Sequence, residues 1–199
     1  NEALTVGQGR FLLFGVTGSG KTLVYLHCIS SALEQGKSAI VLVPEISLTP
    51  QAVSAFKGWF GDQVAVLHSR LSVSERAEQW QDAAEGQARV ILGARSAVFA
   101  PVSNLGLIVI DEEQESAYKQ EEAPRYHARE VAKARVQSEG GLLLLGSATP
   151  SLESFHAALE GDYELLRLPS RVEDKPLPRV NVVDMREELL AGNRTMFSR

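Results

Sequence analysis

Gly15-Val16-Thr17-Gly18-Ser19-Gly20-Lys21-Thr22 lies between an apolar run, Phe11–Phe14, and a stretch in which Leu23, Leu26, Ile29 and Leu33 keep helical spacing. Strand, glycine-rich loop and helix in that order make a complete Walker A pattern, in which backbone N–H groups wrap phosphates and the helix N-terminus adds its positive dipole end. All eight residues are candidate nucleotide contacts. Lys21 has the reach for the β- and γ-phosphates, and the Thr22 hydroxyl can take one position on Mg²⁺. The pattern points to a nucleotide, ATP or a relative, and does not say which reaction follows.

Outward from this loop, short apolar runs recur with helical stretches between most of them. They are Phe11–Phe14, Ala39–Val43, Val64–Leu67, Val90–Leu92, Leu107–Ile110, Leu142–Leu145 and Tyr163–Leu168. Most are apolar at nearly every position, as strands covered on both faces of a parallel sheet must be. Gly36 is placed to end the first helix. Thr49-Pro50 reads as an N-cap with proline at the first helical position, and Ser72 with Glu75 as a capping box closed by Gly86. Trp59 and Trp80 fall inside these helices and read as core or packing residues, not base-stacking platforms. The alternation predicts a doubly wound α/β domain, mostly parallel, with helices on both faces and ligands beyond the carboxyl ends of the strands.

Two further elements sit at predicted strand ends. Leu107-Ile108-Val109-Ile110 runs into Asp111-Glu112, which brings carboxylates to the mouth of the sheet. Beside a Walker A loop, Asp111 is the expected Mg²⁺ holder and Glu112 the base that orients and deprotonates water. Gly146-Ser147-Ala148-Thr149-Pro150 follows another apolar run. Its hydroxyls, Ser147 and Thr149, can relay the state of the γ-phosphate to a neighbouring surface, or simply cap a helix with Ser151.

Composition bounds the alternatives. With 199 residues, 44% hydrophobic and 23% charged, the chain suits one globular domain with a substantial core. It contains no 18-residue apolar run and no signal-like N-terminus, so a membrane partner is not expected. The single cysteine, Cys28, excludes an internal disulfide or a cysteine-cluster zinc site and fits a cytoplasmic setting. A net charge of −5 means that any nucleic-acid contact is local or shared. After Leu168 the prolines 169, 176 and 178 change the texture. Residues 1–168 are therefore read as the nucleotide-binding lobe and 169–199 as a linker toward a neighbour, with Val180–Val183 as one extended segment.

The three elements together resemble superfamily 2 helicases, whose motif III reads Ser-Ala-Thr. The resemblance narrows through Leu42-Val43-Pro44-Glu45-Ile46-Ser47-Leu48-Thr49-Pro50-Gln51, His68-Ser69, Ser74-Glu75-Arg76, Gly93-Ala94-Arg95-Ser96-Ala97-Val98-Phe99-Ala100-Pro101, Tyr118-Lys119-Gln120 and Arg125-Tyr126-His127-Ala128-Arg129. Over residues 11–188 these strings are similar to the PriA family of bacterial primosomal replication-restart helicases. The resemblance implies the first RecA-like, P-loop NTPase lobe of an ATP-driven, Mg²⁺-dependent 3′-to-5′ DNA helicase acting at stalled forks. It also implies single-stranded and forked DNA, primosome and replicative-helicase loading proteins, and a second helicase lobe as partners. On that basis the chain is expected to be a piece of a longer enzyme, with adenine contacts upstream of it.

Family members usually carry a DExH box, whereas this chain reads Asp111-Glu112-Glu113-Gln114; glutamine at that place can still donate and accept hydrogen bonds. The family's histidine lies between the nucleotide site and motif III, so Gln114 is a candidate catalytic residue there, and the sequence leaves open whether it couples hydrolysis to unwinding. Residues 115–135 resemble the family's aromatic-rich, DNA-sensing loop. Arg95, Tyr118, Arg125, Tyr126 and Arg129 are the candidate DNA-sensing residues, with Tyr118, Tyr126 and His127 available to stack on bases and Arg125, Arg129 and Lys133 as a basic row at helical spacing. The rival readings are another superfamily 2 DNA translocase and a nucleotide-gated DNA-binding or loader-docking module with little turnover. No Asn-Lys-x-Asp guanine motif and no Leu-Ser-Gly-Gly-Gln signature occurs, which removes GTPases and ABC-type ATPases.

Overall fold

A computed structural model describes residues 9–172, 181–195 and 197. Chain order runs β1 (Gly9–Gly15), α1 (Lys21–Glu34), β2 (Ser38–Leu42), α2 (Pro50–Phe60), β3 (Val64–Leu67), α3 (Val73–Ala84), β4 (Val90–Gly93) and β5 (Leu105–Asp111). Then come β6 (Lys119–Gln120), β7 (Tyr126–His127), α4 (Ala128–Glu139), β8 (Leu142–Ser147), α5 (Leu152–Leu159), β9 (Glu164–Leu168) and α6 (Met185–Leu190). The seven longer strands form one sheet in the order β3-β4-β2-β5-β8-β1-β9, and every pairing in it is parallel. β6 and β7 make a separate antiparallel pair.

The apolar runs divide their side chains between two cores, because alternate residues of a strand face opposite ways. Phe11, Leu13, Val41, Val90, Val109 and Leu144 pack with Tyr25, Leu26 and Ile29 of α1 and with Phe56 and Phe60 of α2. Leu12, Ile40, Ile91, Ile108 and Leu143 pack on the other side with Ala83 of α3 and Ala128, Ala132 and Val136 of α4. Phe155 of α5 meets Phe14 of β1 edge-on, with ring centroids 6.2 Å apart. Helices cover both faces, as the uniformly apolar strands require.

Local capping follows the sequence closely. The Thr49 side chain accepts the Ala52 N–H, Pro50 opens α2, and Ser72 and Glu75 form the reciprocal capping box of α3. Several readings need correction. Trp59 is 49% and Trp80 39% exposed, so neither is a core residue. Trp59 instead meets His27 edge-on across the outer surface of α1 and α2. Leu23 also faces out, because Lys21, Tyr25 and Ile29 take the buried stripe of α1. Residues 169–199 are not all linker in texture: Asp184 caps a six-residue helix, α6, that no apolar periodicity announces. Residues 181–184 have no strand, while Pro176, Pro178 and Val180 lie outside the described residues.

Candidate nucleotide site and its link to the aromatic-rich loop

The order of strands brings the three sequence elements together. β5, β8 and β1 are neighbours, with Asp111 paired to Gly146 and Ser147 to Phe14 in register. The loop after β1, the acidic turn after β5 and the Ser-Ala-Thr segment after β8 therefore leave the sheet side by side at its carboxyl edge.

Gly18 and Gly20 hold φ of 78° and 86°, a region that glycine enters without penalty, and Gly20 opens α1 with no side-chain cap. A Cβ on Gly15 would lie 2.5 Å from Ser19 Oγ, so the loop closes on itself only with glycine there. Lys21 is 9% exposed and its Nζ donates to the Gly15 carbonyl at 2.8 Å, which spans the loop with a cation. Ser19 Oγ is buried without a hydrogen-bond partner. An uncapped helix N-terminus, a buried cation and an orphaned hydroxyl in one small loop fit a bound polyphosphate. Val16 and Thr17 complete the loop, and Thr22 follows Lys21 on the exposed side of the first helical turn.

Asp111 ends β5 and accepts a hydrogen bond from Tyr25 Oη at 2.9 Å. Burial pushes the Asp111 carboxyl above its ordinary range, against the Tyr25 hydrogen bond and the Lys21 charge that favour the ionised form. Burial, then the Asp111 charge, raises the Tyr25 hydroxyl, so it stays a donor. A divalent cation beside Asp111 would offset that burial penalty, and Asp111 with Thr22 supplies hard oxygen donors of the kind Mg²⁺ takes.

Glu112 follows with φ of 47°, one of two non-glycine residues with positive φ among those described. The left-handed turn redirects the chain so that successive side chains serve different partners. Gln114 Nε2 donates to Glu112 Oε2 at 2.8 Å, Ser147 Oγ donates to Gln114 Oε1 at 2.6 Å, and the Thr149 N–H donates to Ser147 Oγ at 2.8 Å. Glutamine thus occupies both ends of its amide, and a continuous hydrogen-bonded path joins the candidate base to motif III.

Glu113 points the other way and is 2% exposed. It accepts from the Ser151 N–H (2.7 Å), Ser151 Oγ (3.1 Å), Ser154 Oγ (2.7 Å) and Arg129 Nη1 (3.1 Å). A buried ion pair held by several hydrogen bonds is costly to break from one side, at about 3–5 kcal/mol.

The proposed DNA-sensing set does not act as one surface. Tyr118 is 1% exposed and its hydroxyl donates to the Asp111 carbonyl at 2.6 Å, so it is a packing residue beneath the acidic turn and not a stacking platform. Arg129 is turned inward onto Glu113, Ser151 and Ser154, which satisfy its guanidinium. The basic row also dissolves: Arg125 precedes α4, and Lys133 packs over the Tyr163 ring at 5.0 Å. His127 caps α4, its Nδ1 accepting the Arg129 N–H, and burial holds its imidazole below the usual range. Arg125 and Tyr126 remain accessible beside a cleft of about 600 Å³ with Lys119 and His127. Arg95 donates to the Ala117 and Lys119 carbonyls and to Gln120 Oε1, and its guanidinium lies 5.8 Å from the Tyr126 ring centre. It clasps the loop from the end of β4.

Sequence reasoning missed Tyr25 and Glu113. Tyr25 had a signal, since it stands four residues after Lys21 on the same helical face. Glu113 had none, because a buried carboxylate in an acidic run reads like a solvated one.

A DEAD/DEAH box helicase family model matches residues 2–157, spanning the loop, the acidic turn and motif III described above. The chain belongs to the DEAD/DEAH box helicase family. Within this helicase family, it is 60% identical over 188 residues to the replication restart protein PriA of Bacillus subtilis, covering 94% of this chain and 23% of that protein. Against PriA of Synechocystis sp. it is 50% identical over 198 residues, covering 97% and 24%. The chain spans about a quarter of the length of these curated relatives. The Hef helicase domain of Pyrococcus furiosus superposes with a TM-score of 0.60 at 19% identity, covering 84% of this chain and 37% of that one. That likeness concerns the fold, the RecA-like lobe that the family resemblance implied. No helix among the described residues is long and apolar enough to cross a membrane.

Proposed function

We propose that this chain is the ATP-binding lobe of a 3′-to-5′ DNA helicase that acts at stalled replication forks, and that it couples Mg-ATP hydrolysis to movement on DNA. The observation that carries the reading is the path Glu112–Gln114–Ser147–Thr149, which ties the base to the segment that must report nucleotide state. Lys21 and the loop amides hold the phosphates, and Thr22 and Asp111 hold the metal. Bound Mg²⁺ supplies charge neutralisation at the transferred phosphoryl. Glu112 orients water and takes its proton, and Gln114 keeps the Glu112 carboxylate aimed. Arg125 and Tyr126 are the accessible cation and ring for a single strand.

Residues 169–199 are proposed to lead toward a second helicase lobe of the same polypeptide. The Val16 N–H donates to the Leu168 carbonyl and the Val172 N–H to the Gly18 carbonyl, so the chain leaving β9 runs along the nucleotide loop, which supports that role. Primosome and helicase-loading proteins are the proposed further partners, on the strength of the PriA relatives.

Steady-state ATP turnover of the full-length protein, with and without forked DNA, tests the reading together with a strand-displacement assay. Turnover stimulated by DNA and accompanied by displacement is expected. Nucleotide-dependent DNA binding without turnover would refute it in favour of a gated docking module.

A further inference from the structure

The loop between Gln114 and Ala128 leaves the catalytic turn and returns at the start of α4, and both of its ends are tied to the same carboxylate. Glu113 marks the outgoing end and Arg129 the returning end, and they meet at 3.1 Å. Ser151 and Ser154, from the first turn of α5, donate to Glu113, and the same Arg129 nitrogen reaches both of their hydroxyls at 3.1 and 2.7 Å. The knot is sealed from water, with Glu113 fully buried and the Arg129 side chain 14% exposed. Beyond it, α4 is anchored to the sheet through Ala128, Ala132 and Val136.

The outgoing limb is bonded to the catalytic turn directly. The Glu115 N–H donates to the Glu112 carbonyl at 2.9 Å, the Tyr118 N–H to the Glu115 carbonyl, and Tyr118 Oη to the Asp111 carbonyl. The far part of the loop is held differently, by the half-exposed Arg95 through backbone carbonyls and the Tyr126 ring. One tether is therefore buried and the other accessible to a competing anion.

We propose that the Glu113–Arg129 ion pair is the fixed neck of the loop, making Glu113 and Arg129 positioning residues that direct loop displacement into the Asp111–Glu112 peptide and Gln114. With the neck closed, the returning end cannot give way toward α4. A displaced loop must then turn the limb bonded to the Asp111 and Glu112 carbonyls. With the neck open, the same displacement spreads into α4 and α5, and the base is not moved. This rests on the proposed reading of residues 115–127 as the DNA-sensing loop.

The test uses the full-length protein with Glu113→Gln, Arg129→Gln, the double substitution and the milder Ser154→Ala. Each is measured for basal ATP turnover, turnover at saturating single-stranded DNA, the DNA concentration giving half stimulation, and thermal midpoint. Each single neck variant is expected to lose about tenfold in the ratio of stimulated to basal turnover, the size of an ordinary coupling energy. The half-saturating DNA concentration stays unchanged, because Arg125 and Tyr126 are untouched. The double variant should be no worse than the poorer single, since the two residues act as one unit. A folded single variant with the wild-type ratio overturns the proposal, as does a parallel fall of basal rate and thermal midpoint with the ratio intact. If the neck variants do not fold, Ser154→Ala carries the test: a reduced ratio at unchanged basal rate supports the neck, and an unchanged ratio overturns it. Amide hydrogen exchange over residues 115–127, with and without Mg-nucleotide and no DNA, separates the two levels. A wild-type enzyme that DNA does not stimulate refutes the proposed function. The neck is then judged by whether the nucleotide-driven change in exchange, expected in the wild type, disappears in Glu113→Gln; its persistence overturns the neck.

Discussion

Gly146→Ala is a one-methyl change whose effect can be worked from distances. A Cβ at Gly146 would lie 1.7 Å from Tyr25 Oη, 2.7 Å from its Cζ and 3.2 Å from Cε1. Gly146 is not among the positive-φ glycines, so backbone strain plays no part and the conflict is steric. Tyr25 is 2% exposed and packed between α1 and the sheet, which leaves the ring nowhere to swing freely. Its retreat breaks the hydrogen bond to Asp111, worth about 1.5–3 kcal/mol for a charged acceptor. Overpacking adds about 1–3 kcal/mol. A loss of about 2.5–6 kcal/mol follows, which for a chain of this size lowers the thermal midpoint by about 5–24 °C. Tyr25→Phe removes the atom at 1.7 Å but leaves the ring carbon at 2.7 Å, so rescue is partial. Urea titrations of wild type, both singles and the double, followed by tryptophan fluorescence, should give a favourable coupling of about 1–2 kcal/mol. Additivity within about 0.5 kcal/mol would refute the contact.

Lys21→Ala should abolish ATP turnover in the full-length protein while leaving the far-ultraviolet circular dichroism unchanged; near wild-type hydrolysis would remove the nucleotide assignment. Glu112→Gln should keep Mg-nucleotide binding and stall hydrolysis, whereas Asp111→Asn should weaken the metal-dependent part of binding, as titration calorimetry of both variants would read. Because burial raises the Asp111 carboxyl above its ordinary 3.8, folding of the metal-free chain favours the protonated form. That contribution is full below the unfolded value and is lost as pH rises through the folded one. Asp111→Asn should therefore be more stable than the metal-free wild type at neutral pH and lose that advantage under acid, measured by urea midpoints across the carboxylate range. Burial raises the Cys28 thiol in the same way, so iodoacetamide should label it slowly at neutral pH and faster only above the ordinary thiol range, a profile mass spectrometry can follow.

The fold was readable because seven apolar runs with few polar interruptions admit little besides a parallel sheet, and the glycine and serine caps mark where helices begin and stop. The phosphate loop, Asp111 and motif III were readable for the same reason: each follows a strand, and strand ends converge. The inward turn of Arg129 was not, because i, i+4 spacing says which residues share a helical face and not which face the fold buries. Arg125 misleads in another way, since its spacing to Arg129 suggests helix where the helix begins only at Ala128, capped by His127. Tyr118 entered the DNA-sensing set through the resemblance of residues 115–135 to an aromatic-rich loop. An aromatic ring suits a base or a core equally well, and only the position of Asp111 above it decides between them. For Trp59 and Trp80, position within a helix left core and surface packing equally open; both lie partly outside, with Trp59 packed on His27 and Phe60.

The strand order has a consequence for how the molecule is made. Among the described residues β1 has only β8 and β9 as neighbours, and its first partner in register, Leu142, is synthesised about 130 residues after Gly9. At ~5–20 residues per second, the phosphate loop emerges roughly 6–25 seconds before any strand exists to hold it. Phe11, Leu12 and Leu13 are meanwhile an unpaired apolar segment, the kind that invites association between nascent chains. A shortened gene product ending before β8 would keep every residue of the phosphate loop and still have nothing to fix it. The smallest piece that binds nucleotide must therefore reach at least Ser147, and a ribosome paused before that point holds a chain whose first function is written but not yet folded.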